Sequence, residues 1–228
     1  MKAKLIVFDI AGTTLQDKED AVATAFSKAM EANGFEFNSS DIKSVMGYKK
    51  REAIKMLLNK KKLSTDENLI GRLHDTFITE INDHYRTADI REIDGISDLF
   101  KKLKNHGLIV ALNTGFSRST TDIIINRLKW LDDGLIDESI ASDEVAYGRP
   151  EPDMIRELSS RFEISDPRLI FKIGDTPSDL LEGKNAGCGK TIGVLYGTHN
   201  RPELEGYPHD YLAEDIEDLT NEIFSNGS

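Results

Sequence analysis

Four short apolar runs recur along this chain, and stretches with helical spacing lie between them. The runs are rich in residues that favour β-strands and cover residues 4–8, 108–112, 169–173 and 191–195. Helical patterns follow at residues 96–103, 119–128, 152–162 and 179–186. Strands that alternate with helices predict an α/β fold built on a doubly wound parallel sheet.

The segment between the first two runs follows a different pattern. Its spacing is helical from about residue 18 to residue 90, with predicted helices at residues 21–32, 40–45, 52–58 and 67–85. An all-helical insertion after the first strand predicts a cap domain at residues 18–87. Residues 1–17 and 88–228 would then form the core domain, with hinges near residues 15–18 and 87–93.

Charge and hydropathy narrow the partners that we expect. The 228 residues carry a formal net charge of −11, which argues against nucleic acid and against an anionic membrane as partners. A local cation site can still bind a small phosphorylated molecule. No apolar stretch approaches the roughly 20 residues of a membrane helix, and no signal peptide is visible, so we expect a cytoplasmic protein.

Two acidic motifs follow apolar runs. Residues 8–14 read FDIAGTT, which places Asp9 just after the first run, and residues 173–179 read IGDTPSD, which places Asp175 and Asp179 after the third. Open α/β sheets bind their ligands at the carboxyl ends of the strands. Carboxylates at this edge suit a hard cation, whereas a single turn aspartate would be unremarkable.

Two further motifs supply a hydroxyl group and a guanidinium group. Residues 112–115 read LNTG, so Thr114 and the backbone at Gly115 leave the second run, and residues 147–150 read YGRP. The Thr114 hydroxyl group can bind a phosphoryl oxygen, and Arg149 can pair with a phosphate or a carboxylate. All four motifs are expected at one edge of the sheet.

In order and spacing, these motifs resemble those of the haloacid dehalogenase superfamily, whose members have a Rossmann-like core. The resemblance implies that Asp9 is a nucleophile that forms an aspartyl-phosphate. Gly12, Thr13, Thr114 and Gly115 would contact the phosphoryl group. It also implies an Mg²⁺ ion held by Asp9, by the backbone carbonyl of Ala11 and by Asp175, with Asp179 completing the metal site or orienting Arg149.

Three departures together resemble the phosphonoacetaldehyde hydrolase (phosphonatase) family. Ala11 replaces the general acid of most phosphatases in the superfamily, Arg149 replaces the usual lysine, and residues 46–50 of the insertion read MGYKK. In that family a cap lysine condenses with the substrate aldehyde. The spacing from Met46 and Gly47 favours Lys50 for this role, although Lys49 stays an alternative.

This resemblance implies cleavage of a carbon–phosphorus bond. An imine at Lys50 would accept the electron pair of that bond, so no acid would be needed at position 11, and the pKa of Lys50 should be lowered. Two positions depart from the family: Ala53 stands in place of a histidine, and Phe116 in place of an aromatic hydroxyl group. A 2-oxoalkylphosphonate related to phosphonoacetaldehyde is therefore the expected substrate.

Two other functions stay open on the sequence alone. A phosphomonoesterase could act without the usual acid on a small phosphorylated metabolite that has a good leaving group. A non-catalytic binding protein of the same superfamily is the second alternative, although it has little need for Asp9, Asp175 and Asp179. A mutase activity is disfavoured because it depends on the acid that Ala11 replaces. A homodimer is expected by resemblance only.

Overall fold

A computed structural model describes residues 3–17 and 20–225. Their six-stranded sheet has the order β3-β2-β1-β4-β5-β6, and every neighbouring pair runs parallel. The strands are β1 (Leu5–Phe8), β2 (Ile109–Thr114), β3 (Glu138–Ala141), β4 (Ile170–Gly174), β5 (Lys190–Val194) and β6 (Tyr211–Ala213). The predicted α/β fold with a parallel sheet is confirmed. The sequence patterns missed β3 and β6, the two edge strands.

The order of the strands reverses between β1 and β4. The chain builds outward from β1 through β2 to β3, and then returns to the other side of β1 to form β4. A reversal of this kind opens a crevice at the carboxyl ends of the two strands, where α/β folds bind ligands. Asp9 and Asp175 immediately follow β1 and β4, so both residues lie at this crevice.

Helices cover both faces of the sheet. The helical insertion after β1 contains α1 (Ala21–Glu31), α2 (Ser39–Lys43), α3 (Lys50–Lys60) and α4 (Glu67–Thr87). The later helices are α5 (Ile96–Asn105), which also precedes β2, α6 (Arg118–Leu128), α7 (Asp153–Arg161), α8 (Pro177–Ala186), α9 (Arg201–Leu204) and α10 (Ile216–Phe224). Short 3₁₀ helices occur at Ser142–Glu144 and Pro167–Leu169. In the described part of the chain, no helix has both the length and the apolar character needed to cross a membrane.

The first strand shows how the sheet is buried on both faces. Leu5 and Val7 pack in one hydrophobic cluster, whereas Ile6 and Phe8 pack in another. Successive side chains of a strand point to opposite faces, so an uninterrupted apolar run is what a doubly covered strand requires. The run at residues 4–8, which predicted a parallel strand, therefore does form one, over Leu5–Phe8.

The helical insertion has its own aromatic packing and also contacts the rest of the chain. Phe26 of α1 and Phe77 of α4 lie 4.5 Å apart between ring centroids. Thr120 of α6 donates a hydrogen bond from Oγ1 to Oδ1 of Asn82 in α4 at 2.8 Å. The predicted division into residues 18–87 and two core segments stays a prediction. Residues 1, 2, 18, 19 and 226–228, where several of its limits fall, lie outside the described residues.

Substitution of Phe100 tests the packing of the core against β1. Its buried ring contacts Phe8 and Trp130 edge-on, at centroid distances of 5.2 and 5.9 Å. We expect Phe100→Ala to lower the free energy of unfolding by about 3–5 kcal/mol, because it removes the ring and leaves a cavity. Urea denaturation followed by circular dichroism measures this change. Met56→Ala, at an exposed helical position, should cost far less, and equal losses would contradict the assigned core.

Candidate active site

The predicted site residues meet at the carboxyl edge of the sheet. Asp9, Thr114, Arg149, Asp175 and Asp179 are all buried there. A cavity of about 20 Å³ lies in front of Asp9. Its lining includes seven of the predicted residues, namely Asp9, Ala11, Met46, Gly47, Lys50, Thr114 and Gly115. The helical insertion and the sheet therefore both line one cavity.

Arg149 connects the strands that carry the motifs. Its Nη1 donates to Oδ1 of Asp9 at 2.6 Å and lies 2.9 Å from Oδ1 of Asp179. Its Nη2 donates to the Asn113 side chain at 2.6 Å and to the Asn113 backbone carbonyl at 2.7 Å, and its Nε donates to Glu182 at 3.0 Å. A planar guanidinium group with five donors suits this set of partners, and a lysine amine could not reach all of them.

A second buried cation, Lys172 of β4, belongs to the same network. Its Nζ lies 2.8 Å from Oδ1 of Asp179 and donates to Oδ1 of Asn113 at 2.7 Å. Burial alone would raise the pKa of Asp179. The positive charges of Arg149 and Lys172 outweigh burial, so the pKa of Asp179 lies below its usual value. Sequence reasoning missed Lys172, Glu182 and the role of Asn113. The signals were a lysine inside an apolar strand and the three-residue spacing from Asp179 to Glu182.

The other carboxyl groups have raised pKa values. Burial raises the pKa of Asp9, while Arg149 opposes that effect. Burial, followed by repulsion from Asp9 and Asp179, raises the pKa of Asp175 to about 7. Asp175 is fixed by Thr13, whose Oγ1 donates to Oδ1 at 3.0 Å, and by the Thr198 backbone N–H at 2.7 Å. A cation bound beside Asp175 would lower the pKa of this carboxyl group and favour its ionised form.

The site fits a hard divalent cation. Asp9, Asp175 and Asp179 each offer an oxygen atom, and these atoms lie within 4.8 Å of one another. Glu182 is a fourth buried carboxyl group beside them, and the buried cations Arg149 and Lys172 lie in the same network. The carboxylate oxygen donors are suited to Mg²⁺. Asp179 already contacts both Arg149 and Lys172, so Asp9 and Asp175 are more available to bind a metal ion.

Glycines allow loops of the sheet and of the insertion to approach closely. Gly12 has a φ angle of +87°, and a Cβ atom there would lie 2.3 Å from Oδ2 of Asp175. A Cβ atom on Gly115 would lie 2.5 and 2.6 Å from the carbonyl oxygens of Tyr48 and Gly47. The loop of residues 46–49 therefore sits directly on the end of β2, which brings the neighbouring Lys50 to the cavity.

Lys50 has an apolar environment, whereas Lys49 does not enter the cavity lining. The Nζ atom of Lys50 lies 4.9 Å from the ring centroid of Phe116 and 5.7 Å from those of Phe26 and Phe77. Its hydrogen bond to the Tyr48 carbonyl is long, at 3.5 Å. Burial lowers the pKa of Lys50 to about 8, although the charge of Asp9 opposes this shift. Lys49 instead donates to the Val145 carbonyl at 2.9 Å.

Removal of the guanidinium group should destabilise the fold as well as the site. We expect Arg149→Met to lower the free energy of unfolding by about 3–5 kcal/mol in EDTA, because three buried carboxylates would lose a partner. Urea denaturation followed by the fluorescence of Trp130, the single tryptophan, measures this change. Arg156→Met changes an exposed arginine of α7 and should be nearly neutral. Equal stabilities of the two variants would refute a structural role for the network.

Comparisons with known proteins agree with this geometry. Phosphonoacetaldehyde hydrolases of Bacillus cereus (strain G9842) and Bacillus mycoides are 26% and 28% identical to this chain over 245 residues. Each match covers 100% of this chain and 90% of the relative. Because these identities are low, the name of the relatives describes the activity of those proteins only.

Solved structures share the fold. A hydrolase from Pseudomonas syringae superposes with a TM-score of 0.88 at 23% identity and covers 99% of this chain and 100% of that one. A phosphonoacetaldehyde hydrolase-like protein from Oleispira antarctica has a TM-score of 0.87 at 23% identity, over 99% and 92% of the two chains.

A putative phosphoglycolate phosphatase from Lactobacillus delbrueckii has a TM-score of 0.77 at 22% identity, over 98% and 99% of the two chains. At such identities these structures support the fold alone. The family model described as haloacid dehalogenase-like hydrolase matches residues 6–194, which include Asp9, Arg149 and Asp179. The chain therefore belongs to the haloacid dehalogenase-like hydrolases.

Proposed function

We propose that this hydrolase cleaves the carbon–phosphorus bond of a 2-oxoalkylphosphonate such as phosphonoacetaldehyde. One observation carries the proposal: Lys50, a buried amine with a lowered pKa, lines the same cavity as Asp9. A phosphatase that relies on an acid at position 11 has no need of such an amine, and Ala11 offers no acid. The names of the Bacillus relatives point to the same reaction.

The reaction would begin at Lys50. Its neutral amine attacks the carbonyl carbon of the substrate, and the loss of water gives a protonated imine. An oxygen of Asp9 then attacks phosphorus as the carbon–phosphorus bond breaks. The electron pair of that bond moves into the imine and forms an enamine, so the leaving group is never a free carbanion. Proton uptake at carbon and hydrolysis then release the aldehyde.

The residues around Asp9 would serve the phosphoryl half of the reaction. Arg149 holds the Asp9 carboxylate in place, and the Thr114 hydroxyl group and the Gly115 backbone line the cavity. Together with the backbone at Gly12 and Thr13, they would bind phosphoryl oxygens. Asp9, Asp175 and the Ala11 carbonyl would hold Mg²⁺, and Asp179 would complete this metal site. The bound ion would neutralise charge on the phosphoryl group. Water then hydrolyses the aspartyl-phosphate.

Lys50→Met separates this reaction from a phosphomonoesterase. With phosphonoacetaldehyde and Mg²⁺, we expect the variant to lose at least about a hundredfold in kcat/KM for phosphate release, because the electron acceptor is gone. Lys49→Met is the matched control and should keep most of the activity, since Lys49 bonds a backbone carbonyl away from the cavity lining.

Three outcomes would count against the proposal. If only phosphate esters turned over, and equally well in the native protein and in Lys50→Met, the phosphomonoesterase would be correct. If Lys49→Met lost the activity in place of Lys50→Met, the lysine would be misassigned. If the native protein turned over nothing and Asp9→Asn bound phosphonoacetaldehyde normally, a binding protein would be the better description.

The pH dependence of imine formation tests the environment of Lys50. Only the neutral amine attacks a carbonyl group, and burial lowers the pKa of Lys50 to about 8. The rate of imine formation should therefore rise with pH, with a midpoint near 8, and then level off. Borohydride trapping with phosphonoacetaldehyde at a series of pH values, followed by mass spectrometry, measures this rate. A rate that still rises steeply above pH 9 would show an ordinary lysine.

A further inference from the structure

A second cavity lies between the helical insertion and the rest of the chain, next to the cavity at Asp9. Its volume is about 330 Å³, compared with about 20 Å³ at Asp9. The insertion lines it with Ser40, Lys43, Ser44, Met46 and Tyr48, and the rest of the chain lines it with Pro177, His199, Glu203 and Tyr207. We call this second cavity the side cleft.

The wall between the side cleft and the cavity at Asp9 is thin. Met46 lines both spaces. At three other places, one residue lines the cavity at Asp9 and the next residue in the chain lines the side cleft. These pairs are Gly47 and Tyr48, Thr176 and Pro177, and Thr198 and His199. A group that extends past Met46 from the cavity at Asp9 therefore enters the side cleft.

The cavity at Asp9 is smaller than any substrate that would react there. Its volume of about 20 Å³ is room for about one water molecule. Part of the lining must therefore move when a substrate binds. Met46 is suited to move, because a methionine side chain is unbranched and flexible and adapts its shape to its neighbours.

The lining of the side cleft is polar, but the charges of Lys43 and Glu203 cancel. Nζ of Lys43 lies 2.7 Å from Oε1 of Glu203 and donates to Oε2 at 2.8 Å. This ion pair connects α2 of the insertion to α9. A carboxylate or phosphate group in the side cleft would have to compete with Glu203 for Lys43. The side cleft therefore favours a polar group without charge.

His199 adds a buried polar ring to the lining. The residue is 6% exposed, and within residues 3–17 and 20–225 its Nδ1 atom has no hydrogen-bond partner. Buried polar groups are nearly always hydrogen-bonded, because an unsatisfied one loses its hydration without compensation. One nitrogen of a neutral imidazole ring donates and the other accepts, and a hydroxyl group can partner either of them. A hydroxyl group is therefore the ligand that best suits this ring.

We propose that the side cleft binds a hydroxylated substituent on the carbonyl carbon of the substrate, with His199 as its hydrogen-bonding partner. This inference rests on the proposed function. The substrate would be a 2-oxoalkylphosphonate in which a hydroxyalkyl group replaces the aldehyde hydrogen atom. Its phosphonate group would face Asp9 and its carbonyl carbon would face Lys50, while the substituent would pass Met46 into the side cleft.

Two ketones test the recognition of the hydroxyl group. 2-Oxopropylphosphonate carries a methyl group on its carbonyl carbon, and 3-hydroxy-2-oxopropylphosphonate carries a hydroxymethyl group there. In the native protein, we expect kcat/KM for phosphate release to be at least about fivefold higher for the hydroxymethyl ketone. His199→Phe keeps a planar ring without its nitrogen atoms, and should lower the ratio of the two constants about 5- to 10-fold. Comparison of this ratio between the proteins cancels the intrinsic reactivity of the ketones.

Ser40→Trp tests the space itself. Ser40 is an exposed residue of α2 that lines the side cleft, and an indole ring there would fill part of it. Relative to phosphonoacetaldehyde, kcat/KM for the hydroxymethyl ketone should fall about tenfold, mainly through a higher KM. Ser39→Trp is the matched control, because it adds the same ring at the neighbouring exposed position, outside the lining of the side cleft. It should keep the native constants.

The outcomes separate this inference from the proposed function. If phosphonoacetaldehyde turns over but the native protein does not prefer the hydroxymethyl ketone, the side cleft does not bind the substituent, and the C–P reaction stands. The same holds if Ser40→Trp and His199→Phe keep the native preference. If His199→Phe lowers kcat/KM for all three substrates equally, His199 acts through the loop that binds Asp175, and its proposed role is wrong. If none of the three phosphonates releases phosphate, the proposed function fails, and this inference fails with it.

Discussion

The site depends on the contact between Arg149 and the carboxylates at the carboxyl ends of the strands. Asp9 follows β1, Asn113 belongs to β2, and Asp179 and Glu182 lie on α8. One guanidinium group therefore connects two strands and a helix. Buried charges are stable only when they are paired and hydrogen-bonded. Asp9 cannot be held here without Arg149, and Arg149 cannot be buried here without its carboxylates.

Much of this arrangement follows from the sequence, for a physical reason. A strand covered on both faces must be apolar throughout, as at Leu5–Phe8, so the polar residue that ends it is conspicuous. Parallel strands then bring such residues to one edge, which is why Asp9, Thr114 and Asp175 could be placed together. The choice of Lys50 over Lys49 rested on spacing alone. In the structure, Lys50 lines the cavity and Lys49 bonds a backbone carbonyl.

The sequence failed to predict residues whose local sequence pattern does not reveal their surroundings in the folded protein. The edge strand β3 reads ESIA, in which two of four residues are polar, and β6 has only three residues, so neither gives the apolar run that marked β1. Lys172 resembles a solvent-facing residue until β1 and β5 enclose its strand. Tyr85 continues the four-residue spacing of Phe77 and Ile81 and is buried as they are. Only the three-dimensional structure shows that its hydroxyl group has no hydrogen-bond partner within residues 3–17 and 20–225.

The site separates two environments that the proposed reaction would need at once. On the sheet side, paired charges keep Asp9 in place beside oxygen ligands for a cation. On the insertion side, the rings of Phe26, Phe77 and Phe116 remove water from Lys50 and lower its pKa. A negatively charged wall around Lys50 would keep the amine protonated, and an apolar wall around Asp9 would keep the carboxyl group protonated. Because the insertion supplies one wall and the sheet supplies the other, the proposed reaction would have both groups available in one cavity.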